Sequence, residues 1–362
     1  MAAMTCDVCG GKVVASAKEN WFVCEYCGLE YPLEWMKAKF QYTQTVQVQG
    51  PVQVQSADYV IRGGVLEKYN GNDTRVVIPY GVKEIGYEAF SGHRYMTEVI
   101  IPDSVVHIGN GAFSRSGLTS CILPNSVTSL GISCFEYCTS LASVFIPNSV
   151  MYLGISCFKE CTSLTSITIP SSVIKLGSSC FDSCRNLTSV AIPNSVTKIG
   201  SQCFRSCHNL TSITIPSSVT KLENSCFDSC RNLISVDIPN SVIEIGLQCF
   251  MSCHNLTSIT IPSSVTTIGY GCFWDCRNLA NVTILNPMTE IQRNCFDYTP
   301  YGEYLRNEKA IAVDKYNKQV LDRAAKWQAE GLCPFCGGSW QGLFKSHKKC
   351  SNCGREKSHF FD

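Results

Sequence analysis

Charge is scarce in this chain: only 16% of its 362 residues are Asp, Glu, Lys or Arg, and 30 basic against 29 acidic residues leave a formal net charge of +1. A balance so near zero excludes a bulk field that would gather nucleic acid or a membrane surface onto the whole molecule. Long apolar runs are missing as well. No stretch approaches the roughly 20 apolar residues that a membrane-spanning helix needs. The opening segment MAAMTCDVCGGKVVASAKEN shows no charged region followed by an apolar one, so no secretory signal is read there and a cytoplasmic location is expected. Also lacking is any constellation of acid, base and nucleophile standing apart from the repeat described next. No enzyme is expected, and no small-molecule substrate.

What the chain has instead is periodicity. Prolines at 147, 170, 193, 216, 239 and 262 recur every 23 residues, and the register extends outward to Pro79, Pro102 and Pro124, with one step of 22, and to Leu285 where a proline would fall. Ten coils follow, and a period of this length is the mark of a solenoid. Within one unit, Leu187, Val190 and Ile192 point inward and alternate at their end with outward Ser189 and Ala191, the pattern of a half-buried strand. Pro193 ends that ladder. A second short run turns Val196 and Ile199 inward, and Cys203, Phe204 and Cys207 have the spacing of one helical turn. A single coil cannot cover both of its own ends, so coils must stack.

The consensus L-x-x-I-x-I-P-x-S-V-x-x-I-G-x-x-C-F-x-x-C, spread over residues 58–300, resembles the BspA-like bacterial leucine-rich repeat. That resemblance implies a curved right-handed superhelix used for protein contact, commonly on secreted or surface proteins. The expected fold class is therefore a mainly β, or α+β, leucine-rich repeat solenoid of about ten coils with a small zinc ribbon at each end. Five segments follow: a ribbon and short helix at 1–40, a Val/Gln linker at 41–57, the solenoid at 58–300, a capping helix at 301–331 and a second ribbon at 332–362.

Twenty-four cysteines are the other signature, and 16 of them lie in the solenoid. Ala89 and Ala112 hold the position that later coils give to Cys134, Cys157 and their successors, so the requirement is for a small buried group and the thiols read as inert core. A reducing compartment predicts them free. Cys207-His208 and Cys253-His254 belong to the same array, so neither is read as a nucleophile with its base.

The remaining cysteines pair differently. Cys6 and Cys9 with Cys24 and Cys27 form two C-x-x-C-G knuckles, and Cys333 and Cys336 with Cys350 and Cys353 form two more. Each quartet supplies four thiolates for a tetrahedral ion with no open position, so two structural zinc ions are expected. Before the second quartet, Val313, Tyr316, Val320, Ala324 and Trp327 share one helical face and read as a cap on the last coil. At the other end, the segment from Tyr59 with its Asn70-Gly71 turn reads as a cap on the first.

Side chains in a repeat stand in rows. Arg185, His208, Arg231, His254 and Arg277 form one row, and Lys175, Lys198 and Lys221 another; these are the candidates for meeting an acidic partner, with Asp182, Asp228 and Asp275 near enough in sequence to neutralise them. A third row, Glu136, Lys159, Asp182, Arg205 and Asp228, alternates in sign and predicts exposed ion pairs until Met251 and Trp274 break it with an apolar patch. The outward strand positions are small and hydroxylic, interrupted by Phe145 and Asp237, and the asparagines from Asn186 to Asn278 are expected to bond backbone at a turn. Three functions fit such a chain: a scaffold for an unidentified protein, a nucleic-acid factor using the basic second ribbon (Lys345, Lys348, Lys349, Arg355, Lys357), and a surface adhesin. The scaffold is the reading that all segments share.

Overall fold

Three-residue strands with an aliphatic residue between two small polar ones can bury only their centre, as Ile167 and Ile213 do in this protein. The computed structural model describes residues 13–15, 21–24, 30–32, 58–306, 322–327, 329–330, 332, 340–341 and 349–350. The chain divides into two compact units, Met1–Leu210 and Thr211–Asp362. Six of the strands that precede the prolines lie in the first, from Arg75–Val77 to Ser189–Ala191, and four in the second, from Ser212–Thr214 to Asn281–Ile284. They pair two by two, parallel and in register: Ser166, Ile167 and Thr168 face Ser189, Val190 and Ala191, one 23-residue step apart. A second parallel ladder is built from two-residue strands, as where Tyr152 and Leu153 pair with Lys175 and Leu176, and these with Lys198 and Ile199. The fold is thus mostly β, a leucine-rich solenoid of ten turns counted over the two units.

The third side of each coil corrects an expectation. The Cys-Phe segment is no helical turn. The residue before each of its two cysteines takes a left-handed backbone, as at Ser156 (φ 53°) and Glu160 (φ 58°), or Gln248 (φ 51°) and Ser252 (φ 55°). This reversal turns amides outward along the stack, so Phe135 N donates to Cys157 O at 2.8 Å and Tyr137 N to Lys159 O at 2.8 Å. Backbone groups that a helix would satisfy within itself are satisfied by the next coil.

Between the three sides runs a file of phenylalanines. In the first unit Phe90, Phe113, Phe135, Phe158, Phe181 and Phe204 stack with centroids 5.3 to 5.6 Å apart and planes within 11°. In the second, Phe227, Phe250, Phe273 and Phe296 do the same at 5.3 to 5.4 Å. These spacings exceed the strand separation of about 4.8 Å, so the rings are offset, the arrangement their quadrupoles favour.

Strands Tyr59–Arg62 and Val65–Tyr69 form an antiparallel hairpin, and its turn is Gly63-Gly64, both at positive φ, rather than the expected Asn70-Gly71. Tyr69 takes the place of a phenylalanine, 5.4 Å from Phe90. In the second unit a helix, Pro300–Arg306, begins where the period fails. Proline suits a first helical position, Thr299 Oγ1 accepts from Gly302 N at 2.8 Å, and Tyr301 sits edge-on to Phe296 at 5.0 Å. The apolar stripe expected to cap the last coil lies further along the chain. Of that stripe, Ala324 is buried and Trp327 half-buried, while Val313, Tyr316 and Val320 lie outside the described residues.

Candidate functional site

The core rows define what is left for function. Cysteines 121 to 295, 16 among the described residues, are buried and none is in a disulfide. Burial pushes up the thiol of Cys138, to about 11, and likewise raises those of Cys161, Cys249 and Cys253, so these are not poised as thiolates. The second cysteine of a coil donates its S–H to a phenylalanine carbonyl in the coil before: Cys161 to Phe135 O at 3.1 Å and Cys253 to Phe227 O at 3.2 Å. His254 turns instead to Asp275, with Nε2 to Oδ2 at 3.2 Å, so the adjacent Cys253-His254 pair is not a working dyad.

The expected charged rows are placed as follows. In the first unit Lys175 and Lys198 are exposed and face each other in register, beside Tyr152. Arg185 is exposed and reaches Glu160 of the preceding coil at 4.0 Å, and His208, half-buried, follows it one coil on. In the second unit Lys221 Nζ lies 2.8 Å from Glu244 Oε1, and that hydrogen bond raises the lysine's pKa. Arg231 is exposed. His254 and Arg277 converge on Asp275, Arg277 Nε lying 2.9 Å from Oδ1. Burial would lift the Asp275 carboxyl, but the hydrogen bonds from Arg277 and His254 outweigh it and hold the pKa below its ordinary value. Neutralisation across coils is therefore common in these rows.

Two row readings need correction. The alternating row does form pairs, Lys159 with Glu136 at 3.3 Å and Arg205 with Asp182 at 2.8 Å, yet Asp182 is only 1% exposed. It is gripped at both oxygens, by Arg205 Nε at 3.0 Å and a second guanidinium nitrogen at 2.8 Å, with Ser183 Oγ adding a third donor. The asparagines bond each other's side chains, Asn209 Nδ2 to Asn186 Oδ1 at 3.2 Å and Asn255 Nδ2 to Asn232 Oδ1 at 3.3 Å. Trp274 is half-buried, edge-on to Tyr298 at 5.3 Å, so the ring that faces solvent there is Tyr298.

A serine ladder is a feature that sequence reasoning missed. The serine of P-x-S-V donates to the valine carbonyl of the coil before, Ser172 to Val150 O and Ser195 to Val173 O, each at 2.7 Å. Its signal is the recurrence of that serine from repeat to repeat.

Of the metal-ligand candidates, Cys24 ends strand Trp21–Cys24 and Cys350 ends strand Lys349–Cys350. Both strands are antiparallel partners of a neighbour, Val13 facing Cys24 and Trp340 facing Cys350. Cys6, Cys9, Cys27, Cys333, Cys336 and Cys353 lie outside the described residues, as does the linker at 41–57.

The model of the BspA type leucine-rich repeat region matches residues 68–188 and 174–301, most of the chain. The chain belongs to that family. Among solved structures, this BspA-type protein is similar to a leucine-rich repeat protein of T. pallidum, at 27% identity over 61% of this chain and 86% of that one, with a TM-score of 0.43. It is also similar to a leucine-rich repeat protein of Bacteroides ovatus, at 22% identity over 68% and 87%, TM-score 0.41. A leucine-rich cell surface protein of Faecalibacterium prausnitzii matches at 24% identity over 65% and 95%, TM-score 0.40. No curated protein matches the chain.

Proposed function

We propose that this BspA-type protein is a non-catalytic, cytoplasmic scaffold for protein–protein interaction. The observation that carries the reading is the division of labour within each coil. Apolar and thiol side chains are consumed by the core, while whole rows of outward residues stand in register and take no part in it. Repeats of this kind gain binding surface in proportion to their number. The rows from Arg185 to Arg277 and from Lys175 to Lys221 are the proposed contact residues, with Lys175 and Arg231 exposed within their own units.

Two structural zinc ions belong to the proposal, one held by Cys6, Cys9, Cys24 and Cys27 and one by Cys333, Cys336, Cys350 and Cys353. Four thiolates suit zinc, and short antiparallel strands ending in a cysteine suit ribbons. The ions would stabilise segments too small for a core of their own.

The test is affinity capture from the native cell with wild-type protein and with Lys175→Glu and Arg231→Glu variants. A defined protein retained by the wild type and lost by a variant is the expected result. Retention by every variant overturns the assigned rows, and recovery of the protein at the cell surface on fractionation overturns the location. Retention of nucleic acid that falls steeply with salt would favour the basic second ribbon as the working part.

A further inference from the structure

One outward position of the second unit departs from the hydroxylic surface around it. Asp237 closes the strand Ser235–Asp237, facing Thr214 in register, and its carboxylate is exposed. It lines an open groove of about 480 Å³ over the sheet face, together with Pro239, Ser258, Thr260, Pro262 and Leu285. Leu285 stands where other coils have proline and is 54% exposed. Among the described residues no ion pair involves Asp237. The groove therefore offers one uncompensated negative charge at one end and one exposed leucine at the other.

We propose that this groove is a docking site for an extended peptide segment that presents a lysine or arginine to Asp237 and an aliphatic side chain to Leu285. The proposal rests on the scaffold reading and supplies the chemistry of a partner. Charge complementarity selects the basic residue. Asp237 and Leu285 are two coils apart in the stack and two residues apart along the strand, about 12 Å in all at the usual strand spacing and rise. Residues i and i+2 of an extended chain point the same way about 7 Å apart, and the length of an arginine covers the difference. No aromatic ring lines the groove, so it lacks the flat apolar platform on which a sugar would stack. One carboxylate is too few for a hard divalent cation, which takes six or more oxygen ligands.

Fluorescence anisotropy tests the assignment on the full-length protein. The probes are labelled heptapeptides in a Gly/Ser background: one with arginine third and leucine fifth, one with glutamate replacing the arginine, one with alanine replacing the leucine. The arginine–leucine peptide is expected to bind saturably, and Asp237→Asn is expected to weaken it about five-fold, the scale of a solvent-accessible ion pair. Leu285→Ser should weaken it while leaving its salt dependence unchanged. Asp237→Lys should transfer preference to the glutamate peptide. Equal binding of the arginine and glutamate peptides, or no saturation at about millimolar peptide, overturns the site. Because Asp237 is exposed, the variants keep the fold, which circular dichroism checks. Absence of peptide binding alongside successful capture of a partner through the basic rows would sink the groove and leave the scaffold standing.

Discussion

Asp182 shows how a side chain's surroundings decide what its loss costs. Its carboxylate is enclosed, whereas its partner Arg205 keeps 37% of its side chain in water. Arg205→Met leaves a buried charge without its cation, and a loss of about 2 to 3 kcal/mol is expected after allowing for the arginine's exposure. Asp182→Asn leaves an arginine that water can serve, so its urea-unfolding loss should be smaller. Asp275 gives a pH signature. Its folded pKa is depressed, so the stabilisation is present above the unfolded value and disappears as pH falls through the folded one. The gap in unfolding midpoint between wild type and Asp275→Asn should be full near neutrality and close below about pH 4. Ser133, at φ 55°, tests backbone strain. Gly111 and Gly271 fill the same place in two other coils, so Ser133→Gly should be neutral or stabilising. Ser133→Val should cost about 1 to 2 kcal/mol, read as a shift in Tm.

At the scale of the element, the phenylalanine file and the glycine corners fix the spacing of coils. Phe158 is fully buried between rings at 5.4 and 5.6 Å, and Phe158→Ala should destabilise by about 3 to 5 kcal/mol. A Cβ on Gly154 would lie 2.5 Å from Gly131 O, a backbone atom with nowhere to go, so Gly154→Ala should be destabilising in the same unfolding assay. Cys157→Ala should cost little, given Ala89 and Ala112 in its row, both fully buried. The strands and inward rows are legible in the sequence because a period of two and a period of 23 leave few alternatives. The Cys-Phe corner is not. Its left-handed residues include Ser, Gln, Glu, Tyr and Asp, types that share no preference for positive φ, and the cysteine spacing mimics a helical turn. The burial of Asp182 is equally hidden: the alternating row announces its pairing with Arg205, but not that the carboxylate is enclosed.

For the whole molecule, the in-register pairing makes one coil the natural unit of change. Removing residues 153–175 would join Tyr152 to Leu176 and rebuild the same inward pattern, giving a shorter, still cooperative fold of lower Tm. Removing 154–175 shifts the following strand by one residue and turns its apolar set outward, which should abolish that cooperativity. The fold nevertheless absorbs one natural shortening. Ser129 pairs with His107, a step of 22, and the residue is lost at the corner where Ser116 replaces a cysteine and meets Cys138 Sγ at 3.3 Å. The proposed metal sites are legible only as spacing. Elemental analysis should find two zinc ions per chain, with Cys24→Ser and Cys350→Ser each removing one.

Register also bears on inheritance. Because coil strands such as Ser166–Thr168 and Glu244–Ile245 meet their neighbours one full repeat along, a slip during copying of the gene that adds or drops a whole repeat there leaves each surviving seam intact. Reach along the spiral can then change between lineages in whole steps, while the sticky outer residues drift independently on a framework that does not notice.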